Sequence, residues 1–281
     1  MKQKFTIEKP MPPIWMMYPH ISQFSIGWRM GYGEGYKWDL WDWLDTLKTE
    51  EKKQYEEMFP KPKFWHDDFE GNYYELIPFW ENDGKMKYSI GKLIEQNNLS
   101  ELEYLFFWKP APNVIDQSCL GQWQASKFGV DIDDYTCAEQ YMMAEKTRLF
   151  EDEEIKEQIM KATNPIEMKA LGKKVKNFDQ TVWDKVKYSI VLNGNYYKFS
   201  QNKEMRAFLL STENKILVEA SPLDTIWGIG LGEENPNAYN PTAWRGKNLL
   251  GFALMEVRDE LRRVYKNFNK IDWDKLKKYT E

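Results

Sequence analysis

The period of apolar and polar positions changes along the chain, and the change divides it. Residues 1–100 hold no sustained period: Trp, Tyr, Pro and Gly are interspersed, and the Pro and Gly clusters predict many turns. Within them, SIGWRMGYGEGYKWDLWDWLDTL (25–47) begins as a loop and ends as a helical run. TEEKKQYEEMF (49–59) predicts a short charged helix, and SIGKLIEQNNLSELEYLFF (89–107) contains helical pieces.

From about residue 101 the pattern sharpens. LEYLFFW (102–108) predicts a strand, followed by a loop through CLGQWQASKFGVDIDDYT (119–136). YTCAEQYMMAEKTRLF (135–150) predicts an amphipathic helix. EDEEIKEQIMKAT (151–163) predicts a second, with acids in its first turn where the helix dipole favours them. Pro165 opens a third, to about Val175, DQTVWDKVKYSIVLNGNYYKF (179–199) a fourth, and KEMRAFLLST (203–212) a fifth. KILVEAS (215–221) is the clearest strand. A Gly-rich loop over 226–248 leads to a last helix, 249–261, with apolar positions 250, 253, 254, 257 and 261 at helical spacing. No internal repeat is present. The pattern predicts a mostly helical α+β fold with a small β-sheet in 101–270, an aromatic-rich extension over 1–100 that serves as lid or interaction module, and a C-terminal tail over 271–281.

The helix over 135–150 contains an anomaly. With Glu139 as origin, Met142, Met143, Leu149 and Phe150 fall within about 80° of it at 100° per residue. Lys146 returns to within about 20°. An acid and a base therefore sit in the stripe expected to be buried, with Gln140, Ala144, Thr147 and Arg148 opposite. The ordinary reading is a solvated Glu139 at the helix start and a Lys146 that snorkels to the edge of the stripe. The functional reading turns both into a cleft. There burial raises the Glu pKa and lowers the Lys pKa, giving a proton carrier and a nucleophilic amine.

Composition narrows the chemistry. The 281 residues suffice for one large domain or two small ones, with 42% hydrophobic and 16% aromatic side chains. The net charge of −5 is spread over both parts, 13 basic and 16 acidic residues in 1–100 and 26 and 28 beyond. That excludes bulk electrostatic attraction to nucleic acid but leaves room for a local phosphate site. Cys119 and Cys137 have no metal-type spacing and fit a reducing compartment. No signal-peptide core and no run of about 18 apolar residues is present, so a cytoplasmic protein without membrane contact is expected. The two histidines, His20 and His66, both lie in the first hundred residues. A Ser-His-Asp triad beyond that point and a His-rich metal site are excluded, and no metal or other cofactor is expected.

Further candidates follow the second strand. In LVEASPLDTIWGIG (217–230), Glu219 ends the strand, and Asp224, Trp227 and Gly228 lie in the loop after it. A second carboxylate and a stacking ring compete there with a solvated turn and a core Trp. WRGKNLLG (244–251) sets Arg245, Gly246, Lys247 and Asn248 at a helix start, where two cations, free backbone N–H groups and the dipole suit a phosphate. The alternative is Asn248 as a simple N-cap. Lys198 by itself reads as a surface lysine, and Trp123 and Phe128 read first as core aromatics; all three stand as weaker binding candidates.

Taken together, YTCAEQYMMAEK, LVEASPLDTIWGIG and WRGKNLLGFALMEVR, with Lys198-Phe199 between them, resemble the NADAR family of YbiA-like N-glycosidases over about residues 104–265. The resemblance implies a YbiA-like helical domain that cleaves N-glycosidic bonds to ribose. Implied substrates are ribosylated pyrimidine phosphates of riboflavin synthesis or ADP-ribosylated guanine, free or within DNA or RNA. The family's glutamate falls on Glu139, and its lysine, proposed to form an imine with ribose, on Lys146. Its Trp-Gly falls on Trp227 and Gly228, and its Gly-Lys-Asn on Gly246, Lys247 and Asn248. Gly121 stands where the family often has Ser, so a hydroxyl contact is lost. The rival from another class is a non-catalytic ADP-ribose or NAD-binding module.

Overall fold

A computed structural model describes residues 5–65, 86–97 and 101–279. His66 and the stretches 66–85 and 98–100 of the aromatic-rich segment lie outside the described residues. The elements run α1 (Ile14–Met17), α2 (Tyr32–Asp45), α3 (Thr49–Met58), α4 (Ile90–Asn97), β1 (Tyr104–Phe107), β2 (Phe128–Val130), β3 (Asp133–Tyr135) and α5 (Ala138–Leu149). They continue with α6 (Glu153–Lys161), α7 (Pro165–Gly172), α8 (Gln180–Gln201), α9 (Lys203–Ser211), β4 (Ile216–Glu219) and α10 (Leu249–Val264). The fold is α+β and mostly helical, as the pattern predicts.

Local chemistry sets the helix starts. The Asp152 side chain accepts the Ile155 N–H, Asn164 caps α7 with Pro165 behind it, and Asp179 accepts from Thr181 and Val182. β1 and β4 pair in parallel, with Tyr104 opposite Ile216 and Phe107 opposite Glu219. The connection between them carries helices α5 to α9. A second, two-stranded sheet pairs β2 with β3. These three-residue strands read as loop in the sequence because they are too short to show a period of two, and they delay the start of α5 to Ala138.

The chain divides into two compact units, one of residues 1–67, 129–133 and 260–281, the other of 68–128 and 134–259. The C-terminal segment belongs with the first unit: the Tyr279 ring stands edge-on to Tyr36 at 4.8 Å, and Tyr18 Oη donates to the Tyr279 carbonyl at 2.9 Å. Conversely, Lys87 joins the second unit, its N–H donating to Glu256 and its Nζ to Asp259 at 2.6 Å.

In the second unit α5 is central. It packs against α6, α7 and α8 and is buried nearly all round. Gln140 and Ala144, off the apolar stripe, are as buried as the stripe itself. Gln140 meets the cost with hydrogen bonds, accepting the Thr136 N–H and donating to the Ile159 carbonyl. α10 lies against β4 so closely that a Cβ on Gly251 would strike the Leu217 carbonyl oxygen.

Candidate active site

A cleft of about 510 Å³ opens at the carboxyl ends of the parallel pair. Trp108, the residue after β1, and Glu219, the last of β4, both line it. Loops at the carboxyl ends of parallel strands are where open α/β sheets bind ligands. α5 supplies Glu139, Met142, Met143 and Lys146, and α7 supplies Lys169 and Gly172.

Glu139 is 6% exposed, in the first turn of α5. Its N–H donates to the Gln122 carbonyl at 3.0 Å. Burial raises its carboxyl pKa to about 7, against the pull of the Lys169 cation and a hydrogen bond from Trp123, with Asp224 adding to the rise. Lys146 is half-buried: Nζ donates to the Gly172 carbonyl at 2.7 Å and lies 4.0 Å from the Phe178 ring centroid. Burial holds its pKa below the usual lysine range. Both members of the sequence anomaly therefore reach one cleft.

The strand-end loop is built around Asp224. Its Oδ1 accepts the N–H groups of Ile226 at 2.9 Å and Trp227 at 2.8 Å. That turn carries Trp227 to the cleft wall, where Asp224 also lies. Gly228 is needed for close approach, since a Cβ there would lie 2.9 Å from the Glu219 carbonyl oxygen. Trp123 lines the cleft with the Lys169 Nζ 5.8 Å from its ring.

Other expected residues lie elsewhere. Phe128 is buried against Tyr135 and Tyr141, at ring separations of 5.5 and 5.9 Å, and does not line the cleft. Lys198 is no surface lysine: it is fully buried in α8, Nζ donating to the Gly121 carbonyl at 2.9 Å, and burial lowers its pKa to about 8. It fixes the loop that presents Gln122 and Trp123. The phosphate cradle expected at Arg245, Gly246, Lys247 and Asn248 is not formed. The N–H groups of residues 247, 248, 249 and 250 donate to the carbonyls of 225, 228, 226 and 227. None of these four is left for an anion, and none of residues 245–248 lines the cleft. The Asn248 side chain is engaged with β4. Its Oδ1 accepts the Glu219 N–H and its Nδ2 donates to the Leu217 carbonyl, both at 3.0 Å.

Sequence reasoning missed Trp108, Lys109, Lys169, Lys173 and Trp183 as cleft residues. Trp108 could have been found from its place at the end of a predicted strand. Lys169 and Lys173 carry no local signal, because their place depends on how α7 packs on α5.

The cleft brings together one buried and two partly buried carboxyls, tryptophans able to stack a planar group, and lysines at the wall. The NADAR domain model matches residues 106–262, and the chain belongs to that family. N-glycosidase R617 of Acanthamoeba polyphaga mimivirus is 43% identical over 163 residues, 56% of this chain and 96% of that protein. N-glycosidase YbiA of Escherichia coli (strain K12) is 30% identical over 155 residues, 55% of this chain and 86% of that protein. The NMR structure of E. coli YbiA matches with a TM-score of 0.47 at 28% identity, covering 58% of this chain and 86% of that one. The protein is thus an enzyme of the N-glycosidase class, a hydrolase of N-glycosyl bonds. Among the described residues no helix is long and apolar enough to cross a membrane.

Proposed function

We propose that this enzyme hydrolyses the bond between ribose and a nucleobase-like group in a substrate that also carries phosphate. The observation that carries the reading is Glu139, a buried carboxyl on the wall of a Trp-lined cleft, with a pKa raised by burial to about 7. A carboxyl near neutrality both gives and takes a proton at working pH. Departure of a base from ribose passes through an oxocarbenium-like state, which needs a proton donor on one side and a nucleophile on the other.

Trp123 and Trp227 supply faces on which a base or ribose stacks. Lys109, Lys169 and Lys173 supply cations for phosphate, in place of the α10 start. Lys146, with its pKa lowered by burial, is the amine that attacks the anomeric carbon and forms an imine. A second reading has a specific support. The Gly172 carbonyl and the Phe178 face both favour the ammonium form of Lys146, which would leave water as nucleophile and Lys146 as an electrostatic aid.

Substrate is tested directly. The protein is incubated with a guanine-ADP-ribosylated oligonucleotide and, separately, with the ribosylaminopyrimidine phosphate of riboflavin synthesis, and products are weighed by mass spectrometry. Free ADP-ribose from the first marks an eraser of nucleic-acid modification. Ribose 5-phosphate from the second marks a metabolite hydrolase. Silence on both, with tight ADP-ribose binding, overturns the proposal in favour of a binding module.

A further inference from the structure

Glu139 has a partly buried counterpart. Glu219 closes β4, and its backbone is gripped on both sides: Asn248 Oδ1 accepts its N–H at 3.0 Å, and its carbonyl accepts the Ile229 N–H at 3.0 Å. Gly228 packs against it, where a Cβ would come within 3.1 Å of Glu219 Cγ. The side chain forms part of the cleft wall. Its Oε2 is buried and has no hydrogen-bond partner among the described residues. An ionised carboxylate with an unmet buried oxygen is costly, whereas a protonated one holds a hydrogen to donate.

The groups facing Glu219 come from four directions: Glu139 on α5, Asp224 on the strand-end loop, Lys169 on α7 and Lys198 on α8. The Glu139 charge raises the pKa of Glu219, so the two carboxyls of one cleft wall do not ionise independently. The surroundings decide which keeps its proton. Glu139 receives the Trp123 hydrogen bond, has Lys169 as its strongest opposing charge, and lies in the first turn of α5, where the helix dipole favours an anion. Glu219 has no such hydrogen bond and no helix start. Burial, with Asp224 and Glu139 behind it, lifts its pKa to about 8, above that of Glu139.

We propose that Glu219 is a second catalytic carboxyl, which holds the pair's proton and delivers it to the departing base while Glu139 acts as the anion. The proposal rests on the N-glycosidase reading. In the step, the anomeric carbon–nitrogen bond breaks and its electron pair stays on nitrogen, which takes the Glu219 proton. A water oxygen bonds to the anomeric carbon and its proton passes to the Glu139 carboxylate. The step ends with Glu139 protonated and Glu219 ionised, and return of that proton through water resets the pair. If Lys146 is the attacking group, its proton goes to Glu139 and the departure is unchanged.

The test compares leaving groups. Glu219→Gln, isosteric with the protonated acid, is assayed on the substrate whose nucleobase departs and on 4-nitrophenyl riboside 5-phosphate, whose phenolate leaves without a proton. The expected result is a loss of about 10²–10⁴-fold on the first and less than tenfold on the second, whereas Glu139→Gln loses on both. Equal losses on the two substrates, or none on either, overturn the proposal. A second readout needs no turnover. With Glu carboxyl carbons labelled by ¹³C, the resonance absent from Glu219→Gln is expected to titrate near neutrality and to shift to lower pH in Glu139→Gln. Titration in the ordinary range, near about 4.3, overturns the shared proton. A wild-type protein that cleaves nothing removes the N-glycosidase reading alone, and the titration still decides the pair.

Discussion

Glu139 and Lys146 share one face of α5, two turns apart, and live in different surroundings. At the first turn the carboxyl is almost sealed and feels the charges of Lys169 and Asp224. At the last turn the ammonium is half-buried and meets a carbonyl and two aromatic rings, Phe178 and Trp183. Burial drives both towards neutrality, the acid up and the base down. The acid's pKa is set by burial and by the charges beside it, while the lysine's is lowered by desolvation alone. A shared helix face therefore fixes direction, and the packed neighbours fix chemical character.

The largest effect expected is at the first turn. Glu139→Gln keeps the shape and removes the charge, and should cost about 10²–10⁴-fold in turnover. The same change should stabilise the fold at high pH. The folded pKa of Glu139 lies above its unfolded value, so the native state binds the extra proton and stability falls as pH rises through that window. Above about pH 7 the penalty is complete, on the order of 3 kcal/mol at most. Glu139→Gln should thus melt above wild type at pH 8 and level with it near pH 4. A variant that still turns over, or that melts lower at pH 8, breaks the contrast.

At the last turn the effect should be smaller and of another kind. Lys146→Ala removes a cation–π contact and a partly exposed hydrogen bond, worth about 1 kcal/mol in stability. Borohydride reduction during turnover should give a covalent sugar adduct in wild type that Lys146→Ala lacks. Absence of the adduct, with Lys146→Ala still active, would reject the imine and leave water as nucleophile.

The depth of legibility differs between strand, helix and loop. β1, β4 and the helices between them were readable because each runs long enough to show its period or carries a cap such as Asp152, Asn164 or Asp179. The cleft residues Glu139, Lys146, Glu219 and Trp227 were readable because a charge stood in an apolar stripe or at a strand end. Gln140 and Lys198 were not, since their burial comes from partners distant in sequence, Ile159 and Gly121. The start of α10 misled for a related reason. Its residues do suit an anion, but the carbonyls of Thr225 to Gly228 had already taken the N–H groups.

The last comparison, and the smallest effect, lies between two neighbours at that helix start. Asn248 is fully buried, holds φ at 52°, and ties α10 to β4 through both ends of its amide. Asn248→Ala strands the Glu219 N–H and the Leu217 carbonyl, and should cost on the order of 2–3 kcal/mol with some loss of turnover, because the grip on Glu219 slackens. Lys247 beside it is exposed, and its backbone N–H is held by the Thr225 carbonyl. Lys247→Ala should change stability by less than about 0.5 kcal/mol and leave KM within about twofold, since the side chain is not part of the cleft wall. A tenfold rise in KM for Lys247→Ala would restore a phosphate contact at the start of α10. It would also mean that the lysine swings to the substrate from a helix start whose backbone offers none.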